Sequence, residues 1–145
     1  MPVFVKSVLI DAPVCEVFRF HERPDALALL SPAFPPVRMT GRTGKGIEPG
    51  SSVELRAGVF RWVARHTAYE KDRLFVDQQI EGPFAKWIHR HEFEAVGSQT
   101  RLTDRIEYEL PGGSIVNLLL GWTVTLGLRR MFAYRHRATK DAMRA

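Results

Sequence analysis

The sequence predicts an α+β fold: a curved antiparallel sheet of six to seven strands wrapped around one long C-terminal helix, with two short helices after the first strand. Three observations carry it. Six runs of strand type follow one another from residue 36 to residue 110, separated by short Gly, Pro or charged turns. A single alternating run precedes them at the N-terminus. After "LPGG" the chain has no proline and keeps helix-forming length to its end.

The elements read in order. "VFVKSVLI" alternates and is β-branched, which suits a strand. Asp11 is placed to cap the helix that follows, and Pro13 is tolerated in its first turn. "VCEVFRFH" sets Val14, Val17 and Phe18 at helical spacing until Pro24 breaks the pattern. "DALALL" gives a second short helix, closed by the proline-rich "SPAFPP". Then come "PVRMTG", "SSVELRAG", "FRWVARHTAYE", "RLFVDQQIEG", "KWIHRHEFEAV" and "QTRLTDRIEYEL" as strands. "GRTGKGIEPG" is not a phosphate loop, because its Lys is not followed by Ser or Thr and no helix follows it.

The last segment, "SIVNLLLGWTVTLGLRRMFAYRHRATKDAMR", is uncharged for 17 residues from Gly112 to Leu128. That falls short of the roughly 20 residues a membrane-spanning helix needs. Gly121, Gly127 and Asn117 weaken such a reading further. A nearly all-round apolar helix is therefore expected to be buried by the sheet.

Composition fits one folded domain over residues 1–145: 45% hydrophobic and 26% charged. The lone Cys15 excludes an internal disulfide framework and a CxxC metal site. "MPVFVKSVLIDAP" reaches Asp11 too early for a signal sequence, so a cytoplasmic chain beginning at Met1 is expected. Residues 129–145 carry six Arg or Lys and one Asp, and so the whole net charge of +5. A solvated helix end accounts for this run. Contact with an anionic membrane surface is the alternative, and no nucleic-acid motif accompanies it.

Alternation sorts the strand faces. Thr100, Leu102, Asp104, Ile106 and Tyr108 form one inward set, and Trp87, His89, His91, Phe93 and Ala95 another. A tight turn at Gly97-Ser98 places Phe93 opposite Leu102, His91 opposite Asp104, His89 opposite Ile106 and Trp87 opposite Tyr108. His91 and Asp104 are then expected to hydrogen-bond, leaving His89 the less constrained imidazole. Trp62, Ala64 and His66 form the more apolar face of their strand. On "RLFVDQQIEG" either Gln78 faces in with Leu74, Val76 and Ile80, or Asp77 and Gln79 do with Phe75; the first frame is marginally preferred.

So many polar groups on one concave surface suit a ligand cavity better than a dry core. Trp62, Trp87, Phe93, Leu102 and Tyr108 would be its walls, with His66, Gln78, His89, His91 and Asp104 supplying polarity. Trp122 and Leu126 on the long helix would close it. His89, His91 and Asp104 are a workable chelate, but Asp104 serves equally to orient His91, and no metal or other cofactor is expected. A His held by an Asp can also act as a general base, with Tyr108 as acid, so His91, Asp104 and Tyr108 are the catalytic candidates.

Along nearly the whole chain, "IDAPVCEVFRFH" with its "LLSP", "GPFAKWIHRHEF", "TRLTDRIEYELPGG" and the closing helix resemble the helix-grip (SRPBCC) superfamily. That group includes START lipid-transfer domains, the major birch pollen allergen and polyketide cyclases. The closest resemblance is to its branch of small bacterial proteins. The resemblance implies a hydrophobic cavity between sheet and C-terminal helix that takes a lipid, polyketide or other apolar small molecule. It leaves open binding, transport or a cofactor-independent cyclase, dehydrase or hydrolase activity, and transfers no catalytic residue by name.

Overall fold

The computed structural model describes residues 3–31, 37–44, 46–57 and 59–144. The proline-rich close of the second helix, residues 32–36, lies outside the described residues. The elements are β1 (Val3–Ile10), α1 (Val14–Glu22), α2 (Ala26–Leu30), β2 (Val37–Thr43), β3 (Ser52–Ala57), β4 (Phe60–Glu70), β5 (Leu74–Glu81), β6 (Lys86–Val96), β7 (Gln99–Glu109) and α3 (Gly113–Arg144). The seven strands form one sheet in the order β1-β7-β6-β5-β4-β3-β2. β2 to β7 run as an antiparallel meander, and β1 pairs back onto β7. This is the expected helix-grip arrangement.

The β6–β7 hairpin sets the register of the interior. Gly97 turns with φ +60°, a conformation that L side chains rarely adopt. Pairing then runs unbroken from Val96↔Gln99 to Lys86↔Glu109. It brings Phe93 opposite Leu102 and Trp87 opposite Tyr108, as the two apolar faces require. Further along the sheet, β4 and β5 pair irregularly at Val63/Ala64 and His66/Ala68, where bulges locally bend and twist the strand.

Three expectations are corrected. Asp11 does not cap α1; Pro13 occupies the cap position with no side-chain bond, and its carbonyl accepts from the Glu16 and Val17 amides. On β5 the second frame holds: Gln78 is exposed beside Arg65, while Phe75 and Asp77 face in. The inward carboxylate is tolerated because imidazoles surround it. The third concerns α3. Its C-terminal half buries Leu128, Phe132, His136 and Thr139, but its N-terminal half buries no residue. Trp122 is 67% exposed and Leu126 46%. Tyr108 near the end of β7 meets this half at Gly121 and Thr125, and the opposite side of the helix is left uncovered among the described residues.

The interior is layered. One apolar cluster joins Val17 and Phe18 of α1 to Phe75, Phe93 and Leu102, with Phe18 edge-on to Phe93 at 5.0 Å. A second joins Phe4, Trp87, Ile106 and Tyr108 to Leu128 and Phe132. Between them runs a layer of histidines and aspartates.

Candidate functional site

All five histidines of the chain are buried: His21, His66, His89, His91 and His136. Burying an imidazole is costly unless its nitrogens find partners. Here most do. His89 and His91 come from one face of β6 and stack at 3.6 Å between ring centroids. Phe75 stacks on the far side of His91 at 3.9 Å, and the edge of Phe132 meets His89 at 5.2 Å. The two rings therefore present their nitrogens edgewise, toward a carboxylate on either side.

Asp104 of β7 is on one side. Its Oδ1 lies 2.7 Å from His89 Nε2 and 3.2 Å from His91 Nδ1, and its Oδ2 lies 2.6 Å from His136 Nε2 on α3. Asp77 of β5 is on the other, with Oδ2 2.9 Å from His91 Nε2 and 3.9 Å from His89 Nδ1. His91 and Asp104 do meet, as the register requires. The idea that His89 is the less constrained ring is corrected, however. From its diagonal position His89 reaches Asp104 more closely than the directly opposite His91 does.

Protonation follows from these contacts. Burial opposes a charge on His91, but the bonds to Asp104 and Asp77 outweigh it and hold this ring above the ordinary histidine range. As an imidazolium it donates from both nitrogens. Burial and the adjacent His91 charge push His89 down, so His89 is neutral and donates from Nε2 to Asp104. Burial would raise Asp104, yet the bonds from His136, His89 and His91 hold it well below the carboxylate range. Asp77 is likewise held down against its burial, by His91 and His89. Arg135, whose guanidinium lies over the Phe132 ring at 5.3 Å, supplies a second cation. Asp104 and Asp77 thus face both the favoured charge on His91 and the Arg135 guanidinium.

His21 and His66 stand apart from this exchange. His21 Nδ1 donates to the Val17 carbonyl at 2.9 Å, and burial pushes its pKa down to about 4. His66 Nδ1 lies 3.1 Å from Ser51 Oγ, and burial lowers it too.

Two polar atoms in this region are buried without a partner among the described residues: His136 Nδ1 and Arg135 Nε. Both residues line a small cavity of about 20 Å³, with His21, His91, Leu102, Asp104 and Thr139. That is room for one water-sized group. The donor atoms of Asp77, His89 and His91 lie within 4.8 Å of one another and can converge on a metal ion. The expected set of His89, His91 and Asp104 is thereby altered, since Asp104 holds the rings from behind.

A larger opening, of about 570 Å³, lies where the N-terminal half of α3 leaves the sheet. Tyr108, Asn117, Leu118, Gly121, Trp122 and Thr125 line it. Tyr108 Oη donates across it, 3.2 Å from both the Gly121 carbonyl and Thr125 Oγ1. Behind Tyr108 sits an aromatic box: Trp62 edge-on to Trp87 at 5.0 Å, and Phe84 4.9 Å from Trp87. Trp62, Trp87 and Tyr108 therefore gather at this end. Phe93 and Leu102 lie below the charged layer, in the cluster with α1. Trp122 reaches the groove from an exposed position. Leu126 and Gln78 line neither space.

Sequence reasoning missed Arg135 and His136, and placed Asp77 inward only in the less preferred frame of its strand. A signal for His136 existed: Leu128, Phe132, His136 and Thr139 recur at helical spacing on one face. The charge of residues 129–145 drew attention away from it.

These features define the helix-grip fold, and comparison with known proteins supplies the family. The sequence profile described as "Polyketide cyclase / dehydrase and lipid transport" matches residues 10–133, and the chain belongs to that family. No curated protein sequence matches it. Among solved structures it is similar to a nucleoside-diphosphate sugar epimerase from Corynebacterium glutamicum, at 25% identity and a TM-score of 0.73. The match covers 95% of this chain but 28% of the epimerase, so this chain spans a little over a quarter of that protein's length. It is also similar to norcoclaurine synthase from Thalictrum flavum, solved with dopamine and hydroxybenzaldehyde (15% identity, TM-score 0.72, 97% of this chain and 85% of that one). A START superfamily protein from Mycobacterium smegmatis aligns at 13% identity and TM-score 0.70, over 98% and 97% of the two chains.

Proposed function

We propose that residues 1–145 act as one domain that binds a hydrophobic small molecule in the space between the sheet and α3. The observation that carries this reading is the groove of about 570 Å³ at the aromatic end, a volume in the usual range for small-molecule sites. The ligand's apolar body would lie against Leu118 and Trp122, with Trp62 and Trp87 packed behind Tyr108. Tyr108 Oη, which now bonds to α3 itself, would turn to a polar group on the ligand. The family's description as cyclase, dehydrase and lipid-transport proteins supports an apolar ligand without choosing one. Native mass spectrometry of the purified chain tests it: a retained small-molecule adduct is expected, lost on Gly121→Leu, which fills the groove opposite Tyr108. A chain that carries no adduct and takes up no apolar probe would contradict it.

One observation favours a second reading, cyclase- or dehydrase-type proton transfer. Asp104 accepts from His136 Nε2 and leaves Nδ1 as a buried, unpartnered nitrogen. His136 lines the cavity of about 20 Å³, so an aspartate-oriented general base there would act on a water-sized group, and a larger substrate would have to open the layer to reach it. This shifts the catalytic pair from His91/Asp104 to His136/Asp104. His136→Gln that abolishes turnover of a bound carbonyl compound while leaving its affinity intact would establish it. Unchanged turnover would remove it.

A further inference from the structure

The N-terminal half of α3 is apolar where the fold gives it nothing to pack against. Ile115 is 72% exposed, Leu118 82%, Leu119 63%, Trp122 67% and Leu126 46%. At 100° per residue these five fall within an arc of about 100°. They form one stripe, with only Leu120, 50% exposed, set apart from it among the exposed large apolar side chains of this half. The stripe does not stop at Leu126. Arg129, Arg130, Arg137, Lys140 and Arg144 continue along the same side of the helix. Arg129, Arg130 and Arg137 are exposed and make no ion pair among the described residues. The helix has one acidic residue, Asp141, which lies 3.8 Å from Arg144. One side of a helix about 48 Å long is thus apolar for its first half and cationic for its second.

We infer that this side of α3 docks on an anionic membrane surface. The charge argues for that occupant. Apolar side chains with an indole among them enter the headgroup boundary, and arginines further along the same side meet lipid phosphates. A second copy of the chain would match the apolar half but would gain nothing from the arginines. No helix among the described residues is long and apolar enough to cross a membrane. The helix therefore lies on the surface. Leu118 and Trp122 belong both to the stripe and to the rim of the groove, so docking sets the groove's mouth against the lipid. The inference stands on exposure and charge, and it holds whether or not the groove binds a ligand.

The test is co-sedimentation of the full chain with vesicles of equal parts phosphatidylglycerol and phosphatidylcholine, beside vesicles of phosphatidylcholine alone. Binding to the anionic vesicles is expected, weakened by salt. Trp122 emission should shift to the blue, and the shift should be absent from Trp122→Phe. Arg129→Ala with Arg130→Ala is expected to weaken binding about tenfold or more. Ile115→Ser with Leu119→Ser should weaken it comparably. These side chains are exposed, so the variants should keep the circular dichroism and melting behaviour of the parent. Failure to bind anionic vesicles overturns the inference. So does binding that survives loss of the apolar pair, which would mean attraction to any polyanion. A concentration-dependent dimer abolished by Ile115→Ser with Leu119→Ser would also overturn it, by giving the stripe to a second copy.

Discussion

Asp104 is the residue on which the interior turns. It is 4% exposed and takes bonds from three histidines. Buried charge is stable only while its partners remain, and removing one member leaves the others uncompensated. Asp104→Asn should therefore destabilise the protein by about 3–5 kcal/mol in urea titration. His136→Gln, which leaves the other two donors in place, should cost less, about 1–3 kcal/mol. The second residue-scale prediction concerns acid. His21 falls from 6.5 in the unfolded chain to about 4 in the fold, so between those values the unfolded chain binds the extra proton. Stability contributed by His21 is full above pH 6.5 and is lost as pH falls toward 4. From pH 7 to pH 5 this amounts to about 2 kcal/mol. His89 and His66, also lowered, act in the same direction. His91 acts oppositely: its raised pKa adds stability below 6.5 that fades as pH rises through the folded value. Urea titrations at pH 7 and pH 5 should show the acid loss, reduced by about 2 kcal/mol in His21→Phe.

The elements differ in how much each was legible beforehand. β6 and β7 could be read to the residue, because one polar-apolar alternation on each strand and a Gly-Ser turn between them admit a single register. β5 could not. "LFVDQQIE" has apolar groups in both frames, and the bulges on β4–β5 that select the Asp77 frame leave no local sequence mark. α3 misled in a different way. Its hydrophobicity predicts burial, but hydrophobicity says only that water is unfavourable and does not say what replaces it. The charged layer was half legible: His89, His91 and Asp104 share adjacent strand faces, whereas Asp77 and His136 join them only through sheet curvature and helix docking. The two halves of α3 should accordingly behave as different elements. Phe132→Ala, at 1% exposure, should cost about 3–5 kcal/mol. Leu119→Ala should stay within about 0.5 kcal/mol. Amides of residues 117–126 should exchange with deuterium well ahead of those of residues 128–143.

At the scale of the whole molecule, the sheet and the C-terminal half of α3 form a closed lower body, and the upper end is left open. The lower body is packed around the layer of histidines and aspartates. The upper end carries the aromatic box, the groove and an uncovered helix. On the proposed reading, this division would let a ligand enter at the top without disturbing the packed layer beneath. It also makes the groove separable from the exposed stripe by mutation, since Gly121 lines the groove while Ile115 and Leu119 lie only on the stripe. Titration with cis-parinaric acid, an apolar polyene whose emission rises on leaving water, tests the ligand-binding claim most directly. Saturable uptake is expected in the parent chain, weakened tenfold or more by Gly121→Leu and unchanged by Ile115→Ser with Leu119→Ser. Uptake that ignores Gly121→Leu and disappears with the stripe pair would contradict it, because the probe would then be reporting the exposed helix and not a site between helix and sheet.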